Sequence, residues 1–310
     1  MAQPNVNAPL GVGVDIWLGF SETTLGGSAA GVVYDGASLT TAQMQAIAAT
    51  VGAPATCFVH AVMPDRIEVR FFSTLTEYGM CGHGTIAVLT ALIDAGRIEC
   101  GSEPRTIDLV TPTSQASTTI HERVDGRPEV MLALEPAPFQ STSISADELA
   151  AALGTSPNVF HTIPIEESPS DFIHLLVPTT GLDALSSMAP DFEALGSLCQ
   201  AHGVHTVAAY STLAGDAANT IRVRDFCPAT GTNEAAATGT TNRAVSGHLV
   251  RHKLCGLGEN GTSTVRAEQG VEMGRPSLVT TSMTVADGAV THIAVGGVAT
   301  LLQRSGAESV

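Results

Sequence analysis

The chain states one pattern twice, half its length apart. Ile67, Val69, Arg70 and Phe72 recur as Ile221, Val223, Arg224 and Phe226, an offset of 154 (221 − 67). Each copy leads through a loop to a helix start, Cys81-Gly82-His83-Gly84-Thr85 in the first and Ala236-Ala237-Thr238-Gly239-Thr240 in the second. Gly84 and Thr85 match Gly239 and Thr240 at an offset of 155 (239 − 84). A duplicated strand, loop and helix start constrains the fold to two pseudo-symmetric lobes, and the cleft where such lobes meet is the expected site. The copies differ at one chemically decisive position, where the thiol of Cys81 stands against the methyl of Ala236.

The repeat reaches further than its motif. Ser38 to Gly52 reads as an amphipathic helix with apolar Ala42, Met44, Ile47, Ala48 and Val51 at helical spacing and a glycine stop, followed by a strand around Cys57 to Val59. Asp191 to Gly203 and Thr206 to Tyr210 are the counterparts. Gly84 to Ala95 is apolar nearly all round and ends at Gly96, so it predicts a helix wrapped by curved sheet; Thr238 to Lys253 is its more polar twin. After a strand at Glu129 to Leu134, Glu135-Pro136-Ala137-Pro138 cannot continue a helix or a central strand and reads as the crossover between lobes. The expected division is an N-terminal lobe at 1–135, completed by a C-terminal strand at about 295–310, and a C-terminal lobe at 136–294. A chain of 310 residues supports two lobes of about 150 each.

Composition removes several function classes. Hydrophobic residues at 44% and charged residues at 14% describe a globule, built with one Trp and three Tyr from aliphatic side chains. Fourteen Lys plus Arg against thirty Asp plus Glu give a net charge of −16, which repels nucleic acid and anionic lipid alike. The longest apolar stretch, Ile86 to Ile93, falls far short of the roughly 20 residues of a bilayer span. The Met1 to Asn5 start carries no basic segment, so the expected location is the cytoplasm. Six cysteines without a C-x-x-C spacing favour neither a disulfide framework nor a zinc site.

The candidate chemistry gathers at the two helix starts. Unpaired N–H groups and the positive end of a helix dipole stabilise a thiolate and bind a carboxylate, which makes Cys81 the first catalytic candidate. His83 is placed for ligand hydrogen bonding or proton transfer. Gly82, Gly84, Thr85, Thr238, Gly239 and Thr240 supply backbone donors for a substrate, and Glu77 and Glu234 precede the two helices closely enough to act on a ligand. His248 and His252 lie four apart on one helix face, but the sequence offers them no third donor, so no metal is expected.

From Gly27-Ser-Ala-Ala-Gly-Val-Val33 through Leu39 to Ile47, Cys81 to Thr85, Phe226-Cys-Pro-Ala-Thr-Gly231 with Glu234, and Gln269 to Ser277, the chain resembles the phenazine-biosynthesis isomerase family. That family lies within the diaminopimelate epimerase and proline racemase superfamily. The resemblance spans almost the whole chain and implies an α+β fold of two lobes, each a curved sheet around a central helix, with a cofactor-free site and a homodimer. It also implies a catalytic Glu where this chain has Ala55 and an Asp where it has Ala235. Met80 to Thr85 resembles the first cysteine motif of the racemases, whose second cysteine falls at Ala236.

Inversion by two bases requires opposed groups, whereas a 1,3-proton shift needs one. The resulting expectation is a cofactor-independent isomerase of a small carboxylate, with Cys81 as base and acid, His83 assisting and helix amides holding the charge. The alternatives are a lyase or dehydratase in which Glu234 or a bound water helps the leaving group depart, a racemase or epimerase of a small amino or hydroxy acid, and a non-catalytic acid-binding homologue.

Overall fold

The computed structural model describes residues 11–170 and 172–306, so the Met1 to Asn5 segment and the last residues of the expected C-terminal strand lie outside it. The chain divides into two compact units, one running through Ala133 and resuming at Gly296, the other Leu134–Val295.

The first unit contains β1 (Asp15–Gly19), β2 (Ser28–Val33), α1 (Thr41–Val51), β3 (Ala55–Met63), β4 (Arg66–Phe72), β5 (Glu77–Tyr78), α2 (Gly82–Asp94), β6 (Arg105–Val110), β7 (Gln115–Glu122) and β8 (Pro128–Leu134). Helix α1 starts three residues later than the sequence suggests. Gly36–Ser38 form a separate 3-10 turn, and Thr40 caps α1 by accepting from the Gln43 amide while the Gln43 side chain accepts from the Thr40 amide. Strand β2 runs parallel to β3 across the α1 crossover, β3 antiparallel to β4, and β4 parallel to β6 across the α2 crossover.

The second unit repeats that order. It contains β9 (Gln140–Ser141), α3 (Ala146–Ala152), β10 (Glu166–Ser168), β11 (His174–Pro178), α4 (Leu182–Ser186), α5 (Phe192–His202), β12 (Thr206–Ser211), β13 (Ile221–Cys227), β14 (Thr232–Ala235), α6 (Gly239–Arg251), β15 (Gly261–Gln269), β16 (Ser277–Ala286) and β17 (Ala289–Gly297). Strand β11 is parallel to β12, β12 antiparallel to β13, and β13 parallel to β15 across α6. Even the short strands correspond, since Phe72 pairs with Glu77 and Phe226 with Glu234. The last strand, β18 (Ala299–Gln303), pairs antiparallel with β1 in the first unit.

Each unit wraps one helix. In α2 every residue from Gly84 to Leu92 is buried, and the helix packs against β1, β2, β3 and β18. An all-round apolar surface demands that environment. Helix α6 is equally buried from Thr241 to Val250, against β11, β12 and β16, although Thr241, Asn242, Arg243, Ser246 and His248 are polar. It ends at Arg251, two residues before the expected stop, because Lys253 takes a positive φ of 55°. The outer helices carry the rest of the core, with Met44, Ile47 and Val51 of α1 against the first sheet and Leu149, Leu195 and Cys199 of α3 and α5 against the second.

Candidate active site

Among the longer helices, α1, α3 and α5 begin under a side-chain cap from Thr40, Ser145 and Asp191, whereas α2 and α6 begin at Cys81 and Thr238 with none. The first N–H groups of a helix have no intrahelical acceptor, so these two starts keep donors that the others spend internally. The α2 start is also closely packed. A side chain at Gly84 would meet Cys57 Sγ and the Phe71 ring at 3.1 Å, and one at Gly19 would lie 2.7 Å from the His83 carbonyl oxygen. Glycine at both places lets β1 and β4 close around this turn.

Cys81 and His83 are brought together, with Sγ 3.5 Å from Nδ1 and 3.8 Å from Nε2. The thiolate expected here is not favoured. Burial pushes the Cys81 thiol up to about 12, and the Gly84 backbone amide only partly offsets it. Burial also lowers His83 to about 4. The helix dipole is worth at most about 2 kcal/mol, and desolvation of a charge inside a unit outweighs it. The resting pair is therefore a neutral thiol beside a neutral imidazole, and the thiol most open to alkylation is the exposed Cys255.

Glu234 has a different environment from the one its sequence position suggests. Arg224 Nε and Nη2 donate to its two carboxylate oxygens at 3.0 and 2.9 Å, and the same guanidinium lies 4.7 Å over Phe226. Arg70 and Glu77 repeat the arrangement at 2.7 Å for both bonds, with Phe72 beneath at 5.2 Å. The two glutamates are thus matching struts between paired strands, and Glu234 is not a free acid. Arg70 and Arg224 stand in the sequence repeat itself, which was the available signal for this pairing.

At the α6 start the amide of Thr238 donates to Gln269 Oε1 at 3.2 Å, and Asn242 Nδ2 donates to the same oxygen at 2.8 Å. Gly239 and Thr240 follow within the uncapped first turn. Sequence reasoning missed Asp225. Its side chain is buried, its Oδ2 accepts from Thr241 Oγ1 at 2.9 Å, and its cross-strand neighbour is Ala235. Burial raises this carboxyl to about 6, against hydrogen bonds from Thr238, Thr241 and Thr206 that lower it. Ala55, the other position where an acid was implied, opens β3 and is fully buried.

The family model PhzC-PhzF, phenazine biosynthesis-like protein, matches residues 18–305. An uncharacterised isomerase of Bacillus subtilis is 32% identical over 270 residues, covering 85% of this chain and 88% of its own. A trans-2,3-dihydro-3-hydroxyanthranilate isomerase of Pseudomonas fluorescens is also 32% identical, covering 84% and 86%. In three dimensions the chain is similar to a Bacillus anthracis phenazine biosynthesis protein of the PhzF family, with a TM-score of 0.84 at 24% identity and coverage of 94% and 97%.

Proposed function

The chain belongs to the phenazine biosynthesis-like protein family and is an isomerase, and from that premise we propose that it moves a proton within a small carboxylate substrate, without a cofactor, through Cys81 and His83. The observation that carries this reading is the 3.5 Å contact between Sγ and Nδ1 at an uncapped helix start. Burial pushes the thiol up to about 12 and the imidazole down to about 4, so the neutral pair is the resting form. The neutral imidazole is therefore the base, and Cys81 keeps the acid half of the role its position suggests.

In this mechanism the substrate carboxylate docks at the amides of Gly82 and Gly84; Thr85, expected to join them, already donates its amide to the Cys81 carbonyl oxygen at 2.8 Å. His83 takes the α-proton, and the electron pair spreads into a dienolate held by the same amides. The Cys81 thiol protonates the far carbon of the allyl system and regains its proton from His83. Gly239 and Thr240 are the substrate-binding candidates of the second unit, the Thr238 amide being spent on Gln269 Oε1, and Glu234 positions β14 through Arg224. Glu234, engaged at both oxygens by Arg224, does not supply the free acid that the lyase reading asked of it. A second reading assigns the acid to Asp225, because this buried carboxyl faces Ala235 across the strand pair. A cytoplasmic homodimer completes the proposal, and light scattering in solution tests the dimer.

Proton NMR in D2O with a panel of unsaturated dicarboxylates, hydroxyprolines and amino acids tests the reaction. The expected result is loss of one C–H signal, with solvent-derived deuterium at the far carbon of the product, since the hydrogen delivered there is the Cys81 thiol's own and not the one His83 removed. His83→Gln and Cys81→Ser should each slow the exchange by about 100-fold or more. Exchange unaffected by either substitution but abolished by Asp225→Asn would transfer the chemistry to the second reading. A panel with no exchange by the unmodified protein would refute both.

A further inference from the structure

His248 and His252 stand one turn apart at the C-terminal end of α6, His252 as its cap, and the sequence gives them no third partner. The fold supplies one from β10. Glu166 Oε2 lies 2.6 Å from His252 Nε2 and 3.1 Å from His248 Nε2, and the three donor atoms all fall within 4.8 Å of one another. His248 is fully buried and Glu166 nearly so. We propose that Glu166, His248 and His252 form a binding site for one divalent transition-metal ion of the zinc class, which fastens the C-terminal end of α6 to β10.

The donor chemistry selects the ion. Two imidazoles and one carboxylate suit zinc and its neighbours, whereas calcium and magnesium take oxygen donors. Bonds of 2.0–2.1 Å in a tetrahedron separate donors by about 3.3 Å, so the 3.1 Å spacing needs to open by about 0.2 Å and the 2.6 Å spacing by about 0.7 Å, with water as the fourth ligand. The buried Nε2 of His248 makes no hydrogen bond despite its closeness to Oε2. Its other nitrogen, Nδ1, lies 2.7 Å from the Tyr210 hydroxyl. A Tyr210 oxygen that accepts the Nδ1 proton leaves the Nε2 lone pair aimed at a carboxylate oxygen, and a cation satisfies two acceptors facing each other. Such an outer hydrogen bond is the usual means of orienting a metal-ligating imidazole.

The surroundings are compatible with a cation. The site lies at a helix C-terminus, the negative end of the dipole. Arg251 Nε is the competing charge, 3.2 Å from Glu166 Oε2. Its side chain is half exposed and already rests 5.6 Å over the Phe139 ring, so it can leave the carboxylate for that ring and for water. His248 lies nine residues along α6 from Gly239, about 13 Å at the helical rise, so the ion serves the frame of the second unit and not a ligand held at the α6 start.

The test uses full-length protein stripped with a chelator and titrated with zinc chloride alone. One Zn2+ per chain should bind by calorimetry and raise the melting temperature by several degrees, and X-ray absorption should show only nitrogen and oxygen neighbours. His252→Ala and Glu166→Gln, both milder than any change at the fully buried His248, should each weaken binding by 100-fold or more, while Cys81→Ser leaves it intact. Absence of binding overturns the proposal. So does binding that survives both substitutions, or a sulfur shell that disappears in Cys81→Ser.

Discussion

Helices α2 and α6 occupy the same place in the same topology, yet one is enclosed by apolar side chains and the other by polar ones. Burial of α2 is supplied by Ile86, Val88, Leu89 and Leu92, which ask of their neighbours only a close fit. Burial of α6 depends on partners: Asn242 on Gln269, Thr241 on Asp225, His248 on Tyr210. A duplicated backbone thus tolerates either solution, but the polar one ties the helix to named atoms and creates places where other chemistry can develop. The candidate proton-transfer pair lies on the apolar copy, the candidate metal site on the polar one.

The largest expected effect comes from exchanging the two solutions. Leu89→Asn puts an unpaired amide and a void inside the first unit and should cost about 4–5 kcal/mol. Asn242→Leu removes the bridge to Gln269 and should cost about 1–3 kcal/mol. Equal losses in denaturant unfolding would show that the two interiors are not different in kind.

The duplicated struts give the next contrast. Arg224→Met leaves Glu234 buried without its partner and should cost about 3–5 kcal/mol. Arg70→Met should cost about 1 kcal/mol, because the Glu77 side chain keeps 31% of its exposure and water can replace the guanidinium. A reversed order would mean that burial is not what separates the copies.

These struts also show what was legible in the sequence. The recurrence of Ile67, Val69, Arg70 and Phe72 disclosed the repeat, the apolar run from Gly84 to Ala95 and its twin disclosed the central helices, and the resemblance from Gly27 to Ser277 disclosed the family. Partner choice was not legible. Glu77 and Glu234 stood apart from their arginines in sequence and met them only through strand pairing, and Glu166 is 82 residues from His248 (248 − 166). The Cys81 environment was misjudged for a similar reason. A helix start is visible in sequence, but the depth at which it is buried depends on strands from elsewhere in the unit, and here that depth decides the protonation state.

A third contrast concerns pH. Asp225 is held at about 6 against an unfolded value near 4, so the native state binds its proton more tightly than the unfolded chain does. Its stabilising contribution is complete below pH 4 and is lost as pH rises through 6. Asp225→Asn should therefore gain on the parent by on the order of 3 kcal/mol between pH 4 and pH 7, read as the difference between two unfolding curves. A constant difference would show that the carboxyl is not perturbed.

The smallest effect tests the uncapped start. Cys81→Ser places a good capping oxygen on a residue whose φ of −143° and ψ of 110° suit that position. It should raise stability by about 0.5–1 kcal/mol while proton exchange falls. A drop in melting temperature would show that the thiol itself holds the turn.

The pairing of β18 with β1 sets an order of events during synthesis. Leu18 and Thr300 are cross-strand neighbours, although 282 residues of chain separate them (300 − 18). All of the second unit leaves the ribosome before the strand that closes the first unit around α2. Until then the nascent first unit presents an unfilled edge beside its most apolar helix. The half of the molecule made first is thus the last to be finished, and for the length of one translation its safety rests on chaperones or on speed.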